Sequence, residues 1–208
     1  MFALPRFYPI LDTAVCARHE IAPLDAAQKM LDAGVAILQF RHKGFYSREV
    51  LALAQSMAAL CSKAGALFVI NDRADIAALT TAGLHLGQED LTPEAARRVM
   101  GLDAVVGYST HNEAQLRAAA GQPANYLAIG PIFGTSSKEN PDPVVGLQEL
   151  RRLRPLSNKP VVAIGGITLD NVRSALEAGA DSVAVIGGLF ATGNLAAGVK
   201  AWLAKTAA

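Results

Sequence analysis

Three polar side chains stand at alternate positions where the second predicted strand ends. Gln39, Arg41 and Lys43 alternate with Phe40 and His42, and in an extended chain alternate residues point to one side. An amide, a guanidinium and an ammonium group are costly to bury together unless an anion lies against them. The spacing therefore favours an anion-binding site over a strand end that runs into solvent.

Two acidic residues follow the next two predicted strands. Asp72 comes directly after Ile70-Asn71, and Asp90 ends the segment that begins at Leu84. Carboxylates from neighbouring strands can reach one hard cation, and Mg²⁺ binds a few carboxylates while keeping positions for water and phosphate oxygens. Next to the cationic row, the pair predicts a site for a diphosphate and Mg²⁺. We interpret His85 as a buried supporting histidine rather than a metal ligand.

Glycine pairs follow the last two predicted strands, at Gly165-Gly166 and Gly187-Gly188. Because glycine has no Cβ, backbone N–H groups at these pairs can come close to a phosphate. In barrels of parallel strands, the loops after strands seven and eight frequently bind phosphate. Each pair alone is typical of a turn, but the two together predict a ligand that carries a monophosphate.

The longest predicted loop, 130–143, is rich in hydroxyl groups and contains one lysine. Thr135, Ser137 and Lys138 would offer hydrogen-bond donors to a phosphate, and long loops of this kind often close over a ligand. An ordinary solvated loop is equally compatible with the composition. Ser109, at the end of the fifth predicted strand, either binds a phosphate oxygen or a ring nitrogen, or caps the following helix.

Short β-branched runs alternate with stretches rich in Ala, Leu, Glu and Arg, which predicts eight strand–helix units. The strands are expected near Phe7–Asp12, Ala36–Arg41, Leu67–Asp72, Gly83–Gly87, Ala104–Ser109, Tyr126–Pro131, Pro160–Gly166 and Ser182–Gly187. The helices are expected near Leu24–Ala33, Ser47–Ala64, Ala74–Thr80, Thr92–Met100, Asn112–Ala120, Val145–Arg154, Leu169–Ala178 and Ala196–Ala204.

A helix that returns the chain places the next strand parallel to the previous one. The eight units therefore predict an α/β fold, a (β/α)8 TIM barrel that forms one catalytic domain over residues 1–208. An open doubly wound sheet is the alternative. Its G-x-G-x-x-G turn is missing after the first strand, which ends at Leu11-Asp12-Thr13.

Composition excludes several classes of protein. The 208 residues are 51% hydrophobic, and 19 basic against 18 acidic residues give a net charge of +1. This argues against a disordered chain and against a nucleic-acid binder that neutralises phosphates. We expect no membrane partner, because no apolar stretch approaches ~20 residues, and the start of the chain lacks the pattern of a secretory leader. Cys16 and Cys61 lie in unrelated contexts, which indicates reduced thiols in a cytoplasmic protein.

Taken in order, these motifs resemble those of the thiamine phosphate synthase family over nearly the whole chain, from about Tyr8 to Leu189. The matching segments are Gln39-x-Arg41-x-Lys43, Asn71-Asp72, His85-Leu86-Gly87-Gln88-Glu89-Asp90, Gly107-x-Ser109, Gly130-Pro131-Ile132-Phe133 with Thr135 and Lys138, and Ile164-Gly165-Gly166-Ile167. The resemblance implies a (β/α)8 barrel and a transferase that joins a hydroxymethylpyrimidine diphosphate to a thiazole phosphate. Pyrophosphate and thiamine phosphate would be its products.

The resemblance also implies a role for each matching residue. The pyrimidine diphosphate and its Mg²⁺ would be bound by Gln39, Arg41, Lys43, Asn71, Ser109 and Lys138, with Asp72 and Asp90 as the metal ligands. The thiazole phosphate would be bound by Thr135, Ser137, Gly166, Ile186 and Gly187. The family often has Thr at position 137 and Ser at position 187, so Gly187 offers only its backbone N–H.

The implied reaction depends more on charge neutralisation than on a strong base. Pyrophosphate leaves an electron-rich pyrimidine methylene and the thiazole nitrogen attacks the resulting cation, so donors to the leaving oxygens matter most. The expected catalytic residues are Lys138, Ser109 and Arg41. The alternatives are a thiazole tautomerase, a non-catalytic carrier of thiamine phosphates and another phosphate-binding barrel. The expected partners are small-molecule substrates, and the sequence is compatible with a homo-oligomer.

Overall fold

A computed structural model describes residues 4–134 and 142–207 of the chain. Within these residues, eight parallel strands close into a barrel in sequence order, and the last strand pairs with the first. The strands are β1 (Phe7–Asp12), β2 (Ile37–Arg41), β3 (Leu67–Asn71), β4 (Gly83–Leu86), β5 (Val106–Thr110), β6 (Tyr126–Ile129), β7 (Val161–Ile164) and β8 (Ser182–Val185). The prediction of a (β/α)8 barrel is confirmed, and the alternative of an open sheet is wrong because β8 pairs with β1.

Helices follow the strands and cover the outside of the barrel. They are α1 (Thr13–Arg18), α2 (Pro23–Asp32), α3 (Arg48–Ala64), α4 (Ala74–Leu79), α5 (Pro93–Met100), α6 (Glu113–Ala120), α7 (Gly146–Leu153), α8 (Val172–Glu177) and α9 (Leu195–Thr206), with short 3-10 turns at Arg154–Leu156 and Gly187–Phe190. The side chains of Ser47, Thr92, Asn112 and Asn194 accept hydrogen bonds from N–H groups in the first turns of α3, α5, α6 and α9. These caps fix where the helices begin. No helix in the described part of the chain is long and apolar enough to cross a bilayer.

Buried side chains form two layers because successive residues of a strand point to opposite faces. The barrel interior contains Tyr8, Ile10, Ile37, Val69, Tyr126, Ala128, Val162 and Ala184. Phe40 packs in the outer layer, between the strands and the helices. Its neighbour Gln39 is 1% exposed and hydrogen-bonds to Tyr8 in the interior. The alternation predicted along β2 is therefore present at these two positions.

Helix α1 is one element that the sequence patterns did not predict. It has only six residues, too few to show a helical hydrophobic period. Its start is stabilised by Asp12, whose Oδ1 accepts hydrogen bonds from the N–H groups of Ala14 (2.9 Å) and Val15 (3.0 Å). An acidic residue at the end of β1 therefore doubles as a helix cap.

Among the predicted strands that end earlier than expected, two end directly before a residue of positive φ. β7 ends at Ile164 because Gly165 and Gly166 have φ values of +96° and +64°, which a strand does not accommodate. β3 ends at Asn71 because Asp72 has a φ of +65°. In both cases the turn begins where the candidate site begins.

Candidate active site

One cavity of about 370 Å³ opens at the carboxyl ends of β5 to β8, the end at which barrels of this type carry their active sites. Four of the predicted site residues line it: Ser109, Gly166, Ile186 and Gly187. The same cavity is lined by His111, Pro131, Asp142 and Thr168. Gln39, Arg41, Lys43, Asn71, Asp72 and Asp90 lie outside its lining, at the ends of β2 to β4.

Lys43, Asp72 and Asp90 form a second part of the candidate site, the acidic cluster. The Nζ of Lys43 lies 2.5 Å from Oδ2 of Asp72, and the carboxyl of Asp72 is near enough to that of Asp90 to raise the pKa of Asp90. Oδ2 of Asp90 also accepts the N–H of Gly87 at 2.7 Å. Asp72 itself has a φ of +65°.

The pKa of the Asp90 carboxyl is raised above its ordinary value. Burial is the main cause, and the hydrogen bond and negative charge of Asp72 raise the pKa further, against the lowering effects of the Gly87 N–H and the Lys43 charge. Two carboxylates this close repel each other unless a proton or a cation lies with them. The pair could therefore hold a divalent cation. In residues 4–134 and 142–207 no group of three or more acidic, histidine or cysteine side chains is placed to bind a metal.

Arg41 contacts an acid that the sequence analysis did not select. Its guanidinium forms a salt bridge with Oδ2 of Asp12, whose side chain is 5% exposed. Because Oδ1 of Asp12 caps α1, this one carboxylate ties the start of α1 to the end of β2. Asp12 thus positions the Arg41 side chain. The sequence feature that could have identified Asp12 is an acidic residue at the carboxyl end of a strand.

Asn71 presents a polar atom that the fold leaves unsatisfied. Its Nδ2 is fully buried and has no hydrogen-bond partner among the described residues. A buried amide donor without an acceptor costs about 1–3 kcal/mol, so such a group usually marks a place where a ligand or an ordered water completes the structure. Asn71 directly precedes Asp72, next to the acidic cluster.

A chain of buried hydrogen bonds crosses the barrel interior and ends at Ser109. Nε2 of Gln39 donates to the hydroxyl of Tyr8 (2.9 Å), which lies 2.8 Å from the hydroxyl of Tyr126. That hydroxyl lies 3.0 Å from Nδ1 of His85, and Nε2 of His85 lies 2.9 Å from Oγ of Ser109. His85 is buried, as our interpretation of it as a supporting histidine requires. Sequence reasoning missed both tyrosines.

The β7 end of the cavity is built from backbone groups. The carbonyls of Ile164, Gly165 and Gly166 accept hydrogen bonds from Ile132 N (2.9 Å), Phe133 N (3.0 Å) and Asn171 Nδ2 (3.0 Å) respectively. In a trans peptide the N–H points away from the carbonyl. The N–H groups of Gly165, Gly166 and Ile167, which belong to the same three peptide units, therefore point away from these hydrogen-bond partners. A Cβ on Gly166 would lie 2.4 Å from the carbonyl oxygen of Gly134, so this close turn requires glycine.

The structure thus brings the predicted residues together in two groups. The acidic cluster stands at the ends of β2 to β4, and the glycine turns stand at the ends of β7 and β8, while the buried chain crosses the interior from β1 and β2 to β5 and β6. Ser109 belongs to both, since its hydroxyl ends the buried chain and its side chain lines the cavity. Thr135, Ser137 and Lys138 lie outside the described residues.

Comparison with known proteins identifies the family. The family described as thiamine monophosphate synthase matches residues 7–189. A thiamine-phosphate synthase of Koribacter versatilis is 50% identical over 191 residues, which cover 90% of each chain, and one of Agrobacterium fabrum is 40% identical over 184 residues, covering 85% of this chain and 84% of the other. The solved thiamine phosphate pyrophosphorylase of Pyrococcus furiosus superposes with a TM-score of 0.87 at 28% identity, covering 97% of this chain and 95% of that one. The chain belongs to the thiamine monophosphate synthase family.

Proposed function

We propose that this chain is a transferase that condenses 4-amino-2-methyl-5-hydroxymethylpyrimidine diphosphate with a thiazole phosphate, giving thiamine phosphate and pyrophosphate. The observation that carries the proposal is the acidic cluster of Lys43, Asp72 and Asp90. A departing diphosphate needs a cation and a metal-binding group in one place, and the cluster supplies both. Family membership and 50% identity to a thiamine-phosphate synthase support the same reaction.

Asp72 and Asp90 are the proposed ligands of Mg²⁺. The closeness of the two carboxyls and the raised pKa of Asp90 fit a pair that faces a cation. Mg²⁺ is a suitable guest because it needs only one or two carboxylates and otherwise binds water and phosphate oxygens. When bound, Mg²⁺ supplies neutralisation of the negative charge on the diphosphate oxygens.

The residues around the acidic cluster are proposed to bind and orient the pyrimidine diphosphate. The ammonium of Lys43 and the guanidinium of Arg41 supply positive charge, and the salt bridge from Asp12 holds Arg41 in place. The unsatisfied Nδ2 of Asn71 offers a donor. Gln39 stands at the inner end of this group and Ser109 at the border with the cavity.

The thiazole phosphate is proposed to lie in the cavity at β5 to β8. Backbone N–H groups at Gly166, Ile186 and Gly187 would bind its phosphate, which the close glycine turn makes accessible. Thr135, Ser137 and Lys138 are proposed from the sequence as further donors to the two phosphate groups. Lys138 would act with Ser109 and Arg41 on the leaving oxygens.

Two bond changes complete the proposed reaction. The bond between the pyrimidine methylene and the diphosphate oxygen breaks, and its electron pair leaves with pyrophosphate. The thiazole nitrogen then donates its lone pair to the methylene carbon, which becomes the bridge of thiamine phosphate. No proton is abstracted in these steps, so the donors on the leaving oxygens and the alignment of the two substrates are the chain's contribution.

The test is an incubation of the full chain with both substrates, with and without Mg²⁺. We expect thiamine phosphate and pyrophosphate in equal amounts and only with Mg²⁺. The variant Asp72→Asn tests the proposed metal ligand in the same incubation. Its matched control is Asp75→Asn, since Asp75 is an exposed acid on α4 that pairs with Arg73. Absence of product would contradict the proposal. Isomerisation of the thiazole phosphate without condensation would favour a tautomerase, and binding without turnover would favour a carrier.

We further propose that the chain works as one catalytic domain in the cytoplasm, on small-molecule substrates. Cys16 and Cys61 are both buried and unpaired, which supports a compartment in which thiols stay reduced.

A further inference from the structure

The outer face of α3 lacks the charges that a helix surface in contact with water usually carries. Most of its exposed residues are small, namely Ala52, Ser56, Ala59 and Ser62, and the sequence has no charged residue from Val50 to Ser62. A helix that packs on the core with one face normally has charged and polar residues on the other. Small side chains instead allow the axis of a second helix to come close.

An exposed ring and a groove stand at opposite ends of this face. Phe45, which shortly precedes α3, is 87% exposed. At the other end of the helix, α3, β3 and the turn after α4 line a groove of about 450 Å³ with uncharged side chains that include Ala59, Leu67, Phe68 and Thr80. A single exposed aromatic residue is ordinary, but here the same surface also offers a groove that could receive it.

A two-fold axis at Ser56 makes the two features complementary. Ser56 is eleven residues from Phe45 and eleven residues from Leu67 in the groove. It is also seven residues from Glu49 and seven from Lys63, both of which are exposed. In an antiparallel pair of α3 helices related by this axis, the ring of each copy meets the groove of the other, as an isologous interface requires.

The charges at the two ends of α3 favour the antiparallel arrangement. Arg48 stands in the first turn of α3, where a positive charge is unfavourable against the dipole of its own helix. In the antiparallel pair it lies beside the carboxyl end of the other helix, where a positive charge is favourable. Glu49 of each copy lies opposite Lys63 of the other, whereas a parallel pair would bring like charges together.

We propose that a second copy of this chain binds to the outer face of α3, with the two helices antiparallel about Ser56 and each Phe45 ring in the groove of the other copy. This inference does not depend on the reaction that the chain catalyses. The helix has 17 residues and is about 25 Å long at 1.5 Å per residue. Contact along this length and at two rings should bury about 1,200 Å² in total, near the lower limit for specific interfaces. We therefore expect a dissociation constant of about 10 μM.

The first test is sedimentation equilibrium of the full wild-type chain, which needs no variant to fold. We expect an equilibrium between monomer and dimer over concentrations from about 1 to 500 μM, because mass action governs the assembly. A chain that stays monomeric over this range would overturn the proposal. An assembly other than a dimer would overturn it as well, since a two-fold interface closes with two copies.

The second test removes the ring. Phe45→Ser should weaken the dimer at least about 100-fold, because both copies lose a buried aromatic side chain. Leu102→Ser is the matched control, since Leu102 is 86% exposed but follows α5, and it should leave dimerisation unchanged. Circular dichroism checks that both variants fold. An unchanged dimer in Phe45→Ser, or an equal loss in Leu102→Ser, would contradict the proposed face.

The third test reverses the charges at the ends of the helix. Glu49→Lys and Lys63→Glu should each weaken the dimer about 10-fold, because each places two like pairs in the interface. The variant with both substitutions should dimerise within about 3-fold of the wild type, because the pairs are then restored with opposite sign. A double variant that dimerises more weakly than either single variant would rule out this pairing.

The last test locates the axis. Ser56→Cys should form a disulfide between two copies under mild oxidation, because the axis places the two thiols against each other. The native thiols Cys16 and Cys61 are buried and should not interfere. Ala204→Cys is the control, since Ala204 is exposed on α9, and it should stay monomeric on a denaturing gel. Equal crosslinking of the two variants would mean random collision and would refute the axis.

Discussion

The two ends of the candidate site are built from different parts of the chain. At β1 to β4, charged side chains contact each other, as in the pairs Arg41–Asp12 and Lys43–Asp72. At β7 and β8, the cavity is lined mainly by apolar groups and by backbone turns such as Gly165-Gly166. The end at β1 to β4 is defined by charged side chains, whereas the end at β7 and β8 depends on glycines that have no side chain.

This difference determines which substitutions each end tolerates. A side-chain site loses function when a charge is removed, even if the shape is kept, because its binding energy comes from charge. A backbone site loses function when shape changes, even if no charge is touched, because its donors must approach the ligand closely. Isosteric and steric substitutions should therefore affect the two ends in opposite ways.

The largest effect is expected for Asp72→Asn. Asparagine has nearly the same shape and tolerates the positive φ at this position, so the change removes charge and little else. We expect the rate at limiting Mg²⁺ to fall about 100-fold, in the range found for loss of one charge-stabilising group, and to recover partly at high Mg²⁺. A Mg²⁺ titration of initial rates measures this, and a curve that coincides with that of Asp75→Asn would refute the ligand role.

The next effect is expected at the backbone end, for Gly166→Ala. The new Cβ would lie 2.4 Å from the oxygen of Gly134, at a φ of +64°. We expect the KM for the thiazole phosphate to rise about 30-fold, because relief of this contact must displace the turn by about 1 Å and so misplace its N–H donors. The KM for the pyrimidine diphosphate should change less than about 3-fold. Steady-state kinetics with each substrate varied in turn separates the two constants.

Gly65→Ala is the matched control for this substitution. Gly65 has nearly the same φ, +68°, at the end of α3, but no atom lies within 4 Å of its Cβ position. Both variants therefore carry a similar backbone penalty of about 1 kcal/mol, and only Gly166→Ala carries the collision. Equal KM values in the two variants would show that the close approach at Gly166 has no role in binding.

A smaller effect is expected from Asp12, which supports the side-chain end without being proposed to touch substrate. Asp12→Ala removes both the salt bridge to Arg41 and the cap of α1, so we expect about 1 kcal/mol of lost stability and a KM for the diphosphate raised about 5-fold. Asp12→Asn keeps an oxygen for the cap and should restore most of the stability but not the KM. Denaturant unfolding and kinetics on the two variants distinguish the cap from the salt bridge.

The same contrast explains how much of the site the sequence revealed. Lys43, Asp72 and Asp90 were predicted because charged side chains at strand ends are unusual and local patterns expose them. The glycine pairs were predicted for a related reason, since two turns without Cβ atoms stand after adjacent strands. The barrel itself followed from the alternation of strands and helices, which is repeated eight times.

The buried chain could not be found in this way. Tyr8 and Tyr126 lie 118 residues apart, and a tyrosine in a strand has the sequence signature of an ordinary core residue. Their contact exists only because the closed barrel brings β1 and β6 to the same interior. Asp12 was missed for a similar reason, because its role depends on the register that pairs it with Arg41 across β1 and β2.

The smallest effect on activity is expected outside both ends, at the two thiols. Burial is the main reason that the pKa of Cys16 is raised to about 11, and the negative charge of Asp12 adds to the effect. Burial alone raises the pKa of Cys61 to about 12. At pH 8 the thiolate fraction of each is therefore at least about 100-fold below that of an exposed cysteine. Treatment of the native chain with a thiol reagent at pH 8 should modify neither residue and should leave kcat unchanged, whereas the unfolded chain should react at both.

The same pKa shifts make the stability of the fold depend on pH. Because each thiol pKa is higher in the folded state, the unfolded chain loses these protons first as pH rises. Stability should therefore fall as pH rises from about 9 toward 11, and a Cys16→Ala, Cys61→Ala double variant should show a shallower fall. Rapid modification of one thiol in the native chain would mean that the layer between strands and helices is open there.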